Sequence, residues 1–257
     1  MLPRLKSTLS AFQRWEDPAG GVSTREPQGL STVQDAQAGL EDEPITRPDA
    51  DASARDEEHK LVQEVFLQPS LTRRQMVLFA EVERHPGAAA ICSRTAEVLA
   101  QGEGSVCVAD ADLRSPSLHQ RFRAPVTQGL LEVLQNGGSA RRATQRVGPN
   151  LWLLPAGSRP ADPHTVLTPD RLRMLFKDLR DEFDYVLVSG PPFSQRADSM
   201  LLSQLSDGVV LVVEAHTTRR ERARMVTESL AAAQVPVLGV VLNNRTFPIP
   251  DALYRRL

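Results

Sequence analysis

The stretch that decides the fold is Met76-Val-Leu-Phe-Ala-Glu-Val-Glu-Arg-His-Pro-Gly-Ala-Ala-Ala-Ile91. It reads as an apolar strand over Met76–Ala80, a polar turn with one glycine, and then a helix over Ala88–Gln101. On that helix Ile91, Thr95, Val98 and Leu99 recur at the spacing of an inward face. Working outward, the alternation repeats. Strands are predicted at Ser105–Ala109, Leu151–Leu154, Tyr185–Val188, Gly208–Val213 and Val237–Leu242. Helices are predicted at Pro169–Glu182, Ala197–Leu205 and Thr218–Gln234, and a short one from Glu57 carries Leu61, Val62, Val65 and Phe66 on one face before Pro69. Near-continuous Val/Leu strands separated by amphipathic helices imply a parallel sheet covered on both faces. Right-handed crossovers make it a doubly wound α/β sandwich.

The order of the motifs narrows this further. The glycine loop ending in Gly87 is followed 23 positions later by Asp110-Ala-Asp112-Leu-Arg114, and then by Tyr185-Val-Leu-Val-Ser189-Gly-Pro-Pro192. This is the layout of a P-loop nucleotide-binding domain. In such a loop, backbone N–H groups face the phosphates, a lysine neutralises their charge, and a Ser/Thr hydroxyl ligates Mg²⁺. Here Ala88 stands where the lysine belongs, and Ala89 and Ala90 where the hydroxyls belong. Glu81 and Glu83 in the same loop repel a triphosphate. Arg84 and His85 are the nearby cations. Because alanine is a good helix former, these replacements leave the helix intact. The helix N-terminus still offers partial positive charge, which leaves room for weak binding of ATP and Mg²⁺.

Composition bounds the rest. The 257 residues carry a net charge of −2, which does not favour nucleic acid as a partner. Residues 1–60 hold seven Lys/Arg against twelve Asp/Glu, a net of −5, whereas the remainder is +3. The expected organisation is a disordered acidic N-terminal extension over 1–56 and a P-loop-like α/β domain over 57–257. Leu2, Leu5, Leu9, Phe12 and Trp15 have the spacing of a short amphipathic helix. No run approaches the roughly 18 apolar residues of a membrane span, and Met1-Leu-Pro-Arg-Leu-Lys6 opens no secretory signal. The expected location is cytoplasmic, with the N-terminal segment as a means of peripheral attachment at the inner face of the membrane. Cys92 and Cys107 lie in apolar stretches and read as buried thiols. His85, His119, His164 and His216 have no metal-ligand spacing. Arg219-Arg-Glu-Arg-Ala-Arg224 opens a helix as a solvated basic face.

Longer signatures carry a family resemblance. Val106-Cys-Val-Ala-Asp-Ala-Asp-Leu-Arg-Ser-Pro-Ser-Leu-His119, Gly129-Leu-Leu-Glu-Val-Leu134, Leu151-Trp-Leu-Leu-Pro-Ala-Gly157, Phe183-Asp-Tyr-Val-Leu-Val-Ser-Gly-Pro-Pro192 and Leu238-Gly-Val-Val-Leu-Asn243 resemble the bacterial tyrosine kinases of exopolysaccharide and capsule synthesis. These are the CpsD/CapB type within the MinD/ParA class, and the resemblance covers about residues 61–244. It implies that Asp110 helps hold Mg²⁺, with Asp112 and Arg114 beside it, and that Asn243 touches adenine. It also implies that Ser189 replaces an aspartate and that Gly87, Ala88, Ala89 and Ala90 are a degenerate phosphate loop. The family's C-terminal tyrosine cluster has no counterpart in Leu253-Tyr-Arg-Arg-Leu257. Asp110 has a competing structural reading, as a cap for the helix that follows. The expected function is a degenerate, regulatory or scaffolding member of the family. Its partner would be a membrane polysaccharide chain-length or export protein or an active kinase paralogue, with homo-oligomerisation open. An active ATP-dependent autokinase or ATPase with an unorthodox site, and a MinD-like positioning protein, are the alternatives.

Overall fold

The computed structural model describes residues 48–68, 74–85, 87–126, 128–158 and 165–244. Residues 1–47 of the extension expected over 1–56, together with His164 and Tyr254, lie outside the described residues, whereas 48–56 are helical. The chain divides into two units, Met1–Ala54 and Arg55–Leu257, and the sheet belongs to the second. The described elements of the chain in order are α1 (Pro48–Val65), β1 (Met76–Glu81), α2 (Gly87–Leu99), β2 (Val106–Asp110), α3 (Leu118–Arg121), α4 (Leu130–Asn136), α5 (Ala140–Ala143), β3 (Gln145–Arg146), β4 (Leu151–Leu154), α6 (Pro169–Glu182), β5 (Tyr185–Ser189), a 3₁₀ turn at Phe193–Gln195, α7 (Arg196–Leu205), β6 (Gly208–Glu214), α8 (Arg220–Ala232) and β7 (Val237–Asn243).

The strands lie in the order β3-β4-β2-β5-β1-β6-β7. All neighbours are parallel except β3 against β4. β1 sits between β5 and β6, with Met76 opposite Val186 and Val77 opposite Gly208. The doubly wound sandwich expected from the sequence is therefore present. Two features were not legible there: the short helices α3, α4 and α5, and the two-residue antiparallel edge β3. Each is too short for hydrophobic periodicity to register. Helix α1 also begins at Pro48 rather than Glu57. Proline suits the first helical position, where its fixed φ is already helical and its missing N–H is not needed.

Alternation along each strand builds two cores. Met76, Leu78 and Ala80 of β1 face the layer holding Leu130, Leu172, Leu175, Phe176, Leu179 and Leu202. Val77 and Phe79 face the other layer, with Val62, Val65 and Phe66 of α1 and Ile91, Cys92, Ala96 and Leu99 of α2. Val98, expected inward, is only partly buried and packs at the margin of that layer. Each fully buried Leu or Phe contributes about 1.5–3 kcal/mol, so the two faces together dominate the stability. Tyr185 packs at the margin of the α2-side core, edge-to-face on Phe66 at 5.7 Å. The two cysteines are buried on opposite faces of the sheet, and burial pushes the Cys107 thiol up to about 12.

Polar groups fasten the lower end of the sheet. Asp207 Oδ2 accepts from the backbone N–H groups of Gln75 and Met76, at 2.7 and 2.8 Å, while its other oxygen pairs with Arg180 at 2.8 Å. This carboxylate ties the start of β1 to the turn before β6 and to α6. The opposite, carboxyl end of the strands is where open parallel sheets hold their sites.

Candidate functional site

Three loops converge at the carboxyl ends of β1, β2 and β5. A cleft of about 300 Å³ opens between them, lined among others by Glu81, Arg84, Ala88, Ala89, Asp112, Ser115, Ser189 and Gly190. The sequence-predicted residues Ala88, Ala89, Asp112 and Ser189 are thus brought together. Asp110 lies directly beneath, 1% exposed, with Ser189 opposite it in the β2–β5 register.

Glu81 is the residue whose role the sequence reading missed. Side chains alternate along β1, so position 81 shares the face of Val77 and Phe79 and points under α2. The carboxylate is buried, and both of its oxygens are used. Oε2 accepts from the His85 N–H at 2.8 Å, and Oε1 accepts from the Ala88 N–H at 2.7 Å. Burial holds its pKa above the ordinary carboxylate value, only partly offset by the N–H groups of Ala88, His85 and Gly87. The signal available in the sequence was an acidic residue in phase with the inward face of a strand, just before a glycine turn.

The remaining loop residues are also occupied. Arg84 donates to Ser115 Oγ at 2.6 Å, strapping the first loop to the second. Glu83 lies 3.9 Å from Arg222 of α8. Ala88 is buried and Ala90 runs along α2, where its carbonyl accepts from Ser93 Oγ at 2.9 Å. Gly87 packs against Asn243: a Cβ there would stand 2.7 Å from Asn243 Nδ2. That amide in turn donates to Glu214 at 3.0 Å.

Asp110 behaves as the capping reading required. Its Oδ2 accepts from the Ser117 and Leu118 N–H groups at 2.9 Å each, and Oδ1 from Asp112 N–H at 3.3 Å. Desolvation raises its pKa to about 6 against these bonds. Asp112 folds its own loop, accepting from the Arg114 and Ser115 N–H groups at 3.1 Å. Arg114 has its Nε 3.9 Å from Asp198 of α7. Of the candidates, Gly87, Ala90, Arg114 and Asn243 serve packing and pairing around the cleft and do not line it.

The donor set does not fit a magnesium nucleotide held in the manner of a P-loop. Positions 88–90 supply neither cation nor hydroxyl, the loop N–H groups of His85 and Ala88 are taken by Glu81, and Asp110 is engaged with backbone. Among the described residues no group of three or more His, Cys, Asp or Glu side chains is placed to hold a metal ion. No helix among them is long and apolar enough to cross a membrane.

A seven-stranded, mostly parallel sheet with a glycine turn into α2 and an Asp-x-Asp loop after β2 is the arrangement of the MinD/ParA class of P-loop fold. Solved structures agree. The chimerical protein CapA2B2 superposes with a TM-score of 0.70 at 22% identity, covering 80% of this chain and 88% of that one. The MinD septum site-determining protein of Pyrococcus horikoshii, solved with Mg-ADP, superposes at 0.59 and 19% identity, covering 71% and 76%. No family model matches the chain. Among curated proteins, the tyrosine-protein kinase YwqD of Bacillus subtilis is 30% identical over 187 residues, 68% of this chain and 79% of that protein. A putative tyrosine-protein kinase EpsB of Ralstonia solanacearum is 32% identical over 158 residues, 61% of this chain but 21% of EpsB. The chain belongs to the bacterial tyrosine-protein kinase family of the CpsD/CapB/EpsB type, which is linked to exopolysaccharide and capsule systems.

Proposed function

We propose that this protein is a catalytically degenerate member of its family, acting as a regulator or scaffold in exopolysaccharide or capsule biosynthesis or export. The observation that carries the reading is the run Ala88-Ala89-Ala90 at the head of an intact α2. The fold is kept, while the three positions that would neutralise phosphate and ligate Mg²⁺ have no polar side chain. The engaged states of Asp110 and Asp112 support the same reading, because three backbone N–H groups already occupy most of the acceptor capacity of the Asp110 carboxylate. The partner on this reading is a membrane polysaccharide chain-length or export protein or an active kinase paralogue, met from the cytoplasmic side.

Titration calorimetry with ATP and ADP, with and without Mg²⁺, tests it, with Asp110→Ala alongside. The expected result is no binding heat up to millimolar nucleotide for either protein. Magnesium-dependent binding by the wild type that Asp110→Ala abolishes would overturn the proposal in favour of an active enzyme.

A further inference from the structure

We propose that Glu81 is a built-in anion for the loop: its carboxylate takes backbone N–H groups of the kind a bound phosphate would take, and so holds the loop and the start of α2 closed without nucleotide. This inference rests on the reading that the chain does not use nucleotide at this site, and adds how the site is kept in shape.

The geometry is that of a ligand attached to its own protein. A phosphate loop works by aiming several N–H groups at one negatively charged centre, at the positive end of a helix. Here α2 is a 13-residue helix with its N-terminus at Gly87. The His85 and Ala88 N–H groups converge on one carboxylate at 2.8 and 2.7 Å. That carboxylate reaches them from below, from the last residue of β1, and not from solvent. Burying a carboxylate is costly unless charge and hydrogen bonds compensate. Two N–H donors, one to each oxygen, and the helix dipole offset much of that cost.

The surroundings agree. Alanine at position 88 adds no charged group to the loop, and the N–H bonds are the principal partners of this carboxylate. Arg84 closes the outer side by its bond to Ser115, so the loop is fastened from within and from across the cleft. A partner that reads the closed loop therefore meets it at all times, independent of nucleotide.

The test uses the full chain as wild type and as Glu81→Ala, followed by thermal unfolding with inorganic pyrophosphate at matched ionic strength. The wild type is expected to ignore pyrophosphate. Glu81→Ala is expected to melt about 5 °C lower and to regain roughly half of that loss in millimolar pyrophosphate, because the vacated N–H groups then take the added anion. A variant whose Tm is indifferent to pyrophosphate overturns the inference, as does a wild type stabilised by pyrophosphate as much as the variant. Should Glu81→Ala fail to fold, amide exchange in the wild type decides. Protected His85 and Ala88 amides, unchanged by pyrophosphate, are expected; amides exchanging at free-loop rates sink the idea. Failure here leaves wild-type indifference to Mg-ATP untouched, whereas failure of the functional reading appears as Mg-ATP binding by the wild type.

Discussion

At Asp110 one carboxylate serves three backbone N–H groups while lying 1% exposed, and burial outweighs those bonds to raise its pKa to about 6. The sign of its effect on stability follows from linkage. The folded state takes up a proton at higher pH than the unfolded chain, whose aspartate titrates near 3.9. Asp110 therefore favours folding most below about pH 4, and that contribution falls as pH rises to about 6 and stays flat above it. Asp110→Asn removes the titration. The unfolding free energy of the variant relative to wild type should rise by on the order of 3 kcal/mol between pH 4 and pH 7, measured by urea denaturation. A pH-independent difference would mean that the carboxylate is not held up by burial. The two roles open for Asp110 in the sequence were separable only by knowing that Ser117 and Leu118 return beneath it.

At the scale of elements, the signature stretches Gly129–Leu134 and Leu151–Gly157 form one joint. Leu130 and Leu131 N–H groups donate to Pro155 and Ala156 carbonyls at 2.8 and 3.0 Å. Glu132 of α4 accepts from Gly129 N–H at 2.7 Å and, through its other oxygen, from Ser158 N–H at 3.0 Å. The approach is so close that a Cβ on Gly129 would stand 2.2 Å from the Pro155 oxygen and 2.4 Å from the Gly157 nitrogen. Backbone cannot retreat as a side chain can, so Gly129→Ala should lose about 3 kcal/mol in urea denaturation. A loss under ~0.5 kcal/mol would show that α4 can shift away at little cost. The helix itself is seven residues and left no periodic trace in the sequence. Its motif was readable while its meeting with Leu151–Gly157 was not, because that contact is set by the path of the chain through α5 and β3.

Across the whole molecule, burial is steeply graded. β1, β2 and most of β5 are fully inside, whereas β7 at the edge leaves Val240 at 42% and Leu242 at 48% exposed. Local opening follows such gradients. Hydrogen exchange should be slowest at Met76–Ala80, Val106–Ala109 and Val186–Val188, and faster by at least tenfold along Val237–Asn243. Uniform protection across the sheet would contradict this ordering. The same gradient bears on the site: the loops that form the cleft spring from deeply buried strands, β1, β2 and β5, so they rest on a well-packed base.

What the sequence determined by itself was whatever depends on local pattern. The strand and helix alternation, the two-sided burial of a parallel sheet, the family motifs and the alanines at 88–90 all follow from side-chain period and residue type. What only the tertiary structure decided was where each polar group finds its partner. Glu81 turns from a repulsive loop charge into the ligand of its own loop because the pleat of β1 aims it beneath α2. Asp110 caps α3, and Arg114 turns to Asp198, because the chain after β2 folds back. A buried carboxylate must be satisfied, and which N–H groups satisfy it is a property of the packed backbone rather than of the residues taken one at a time.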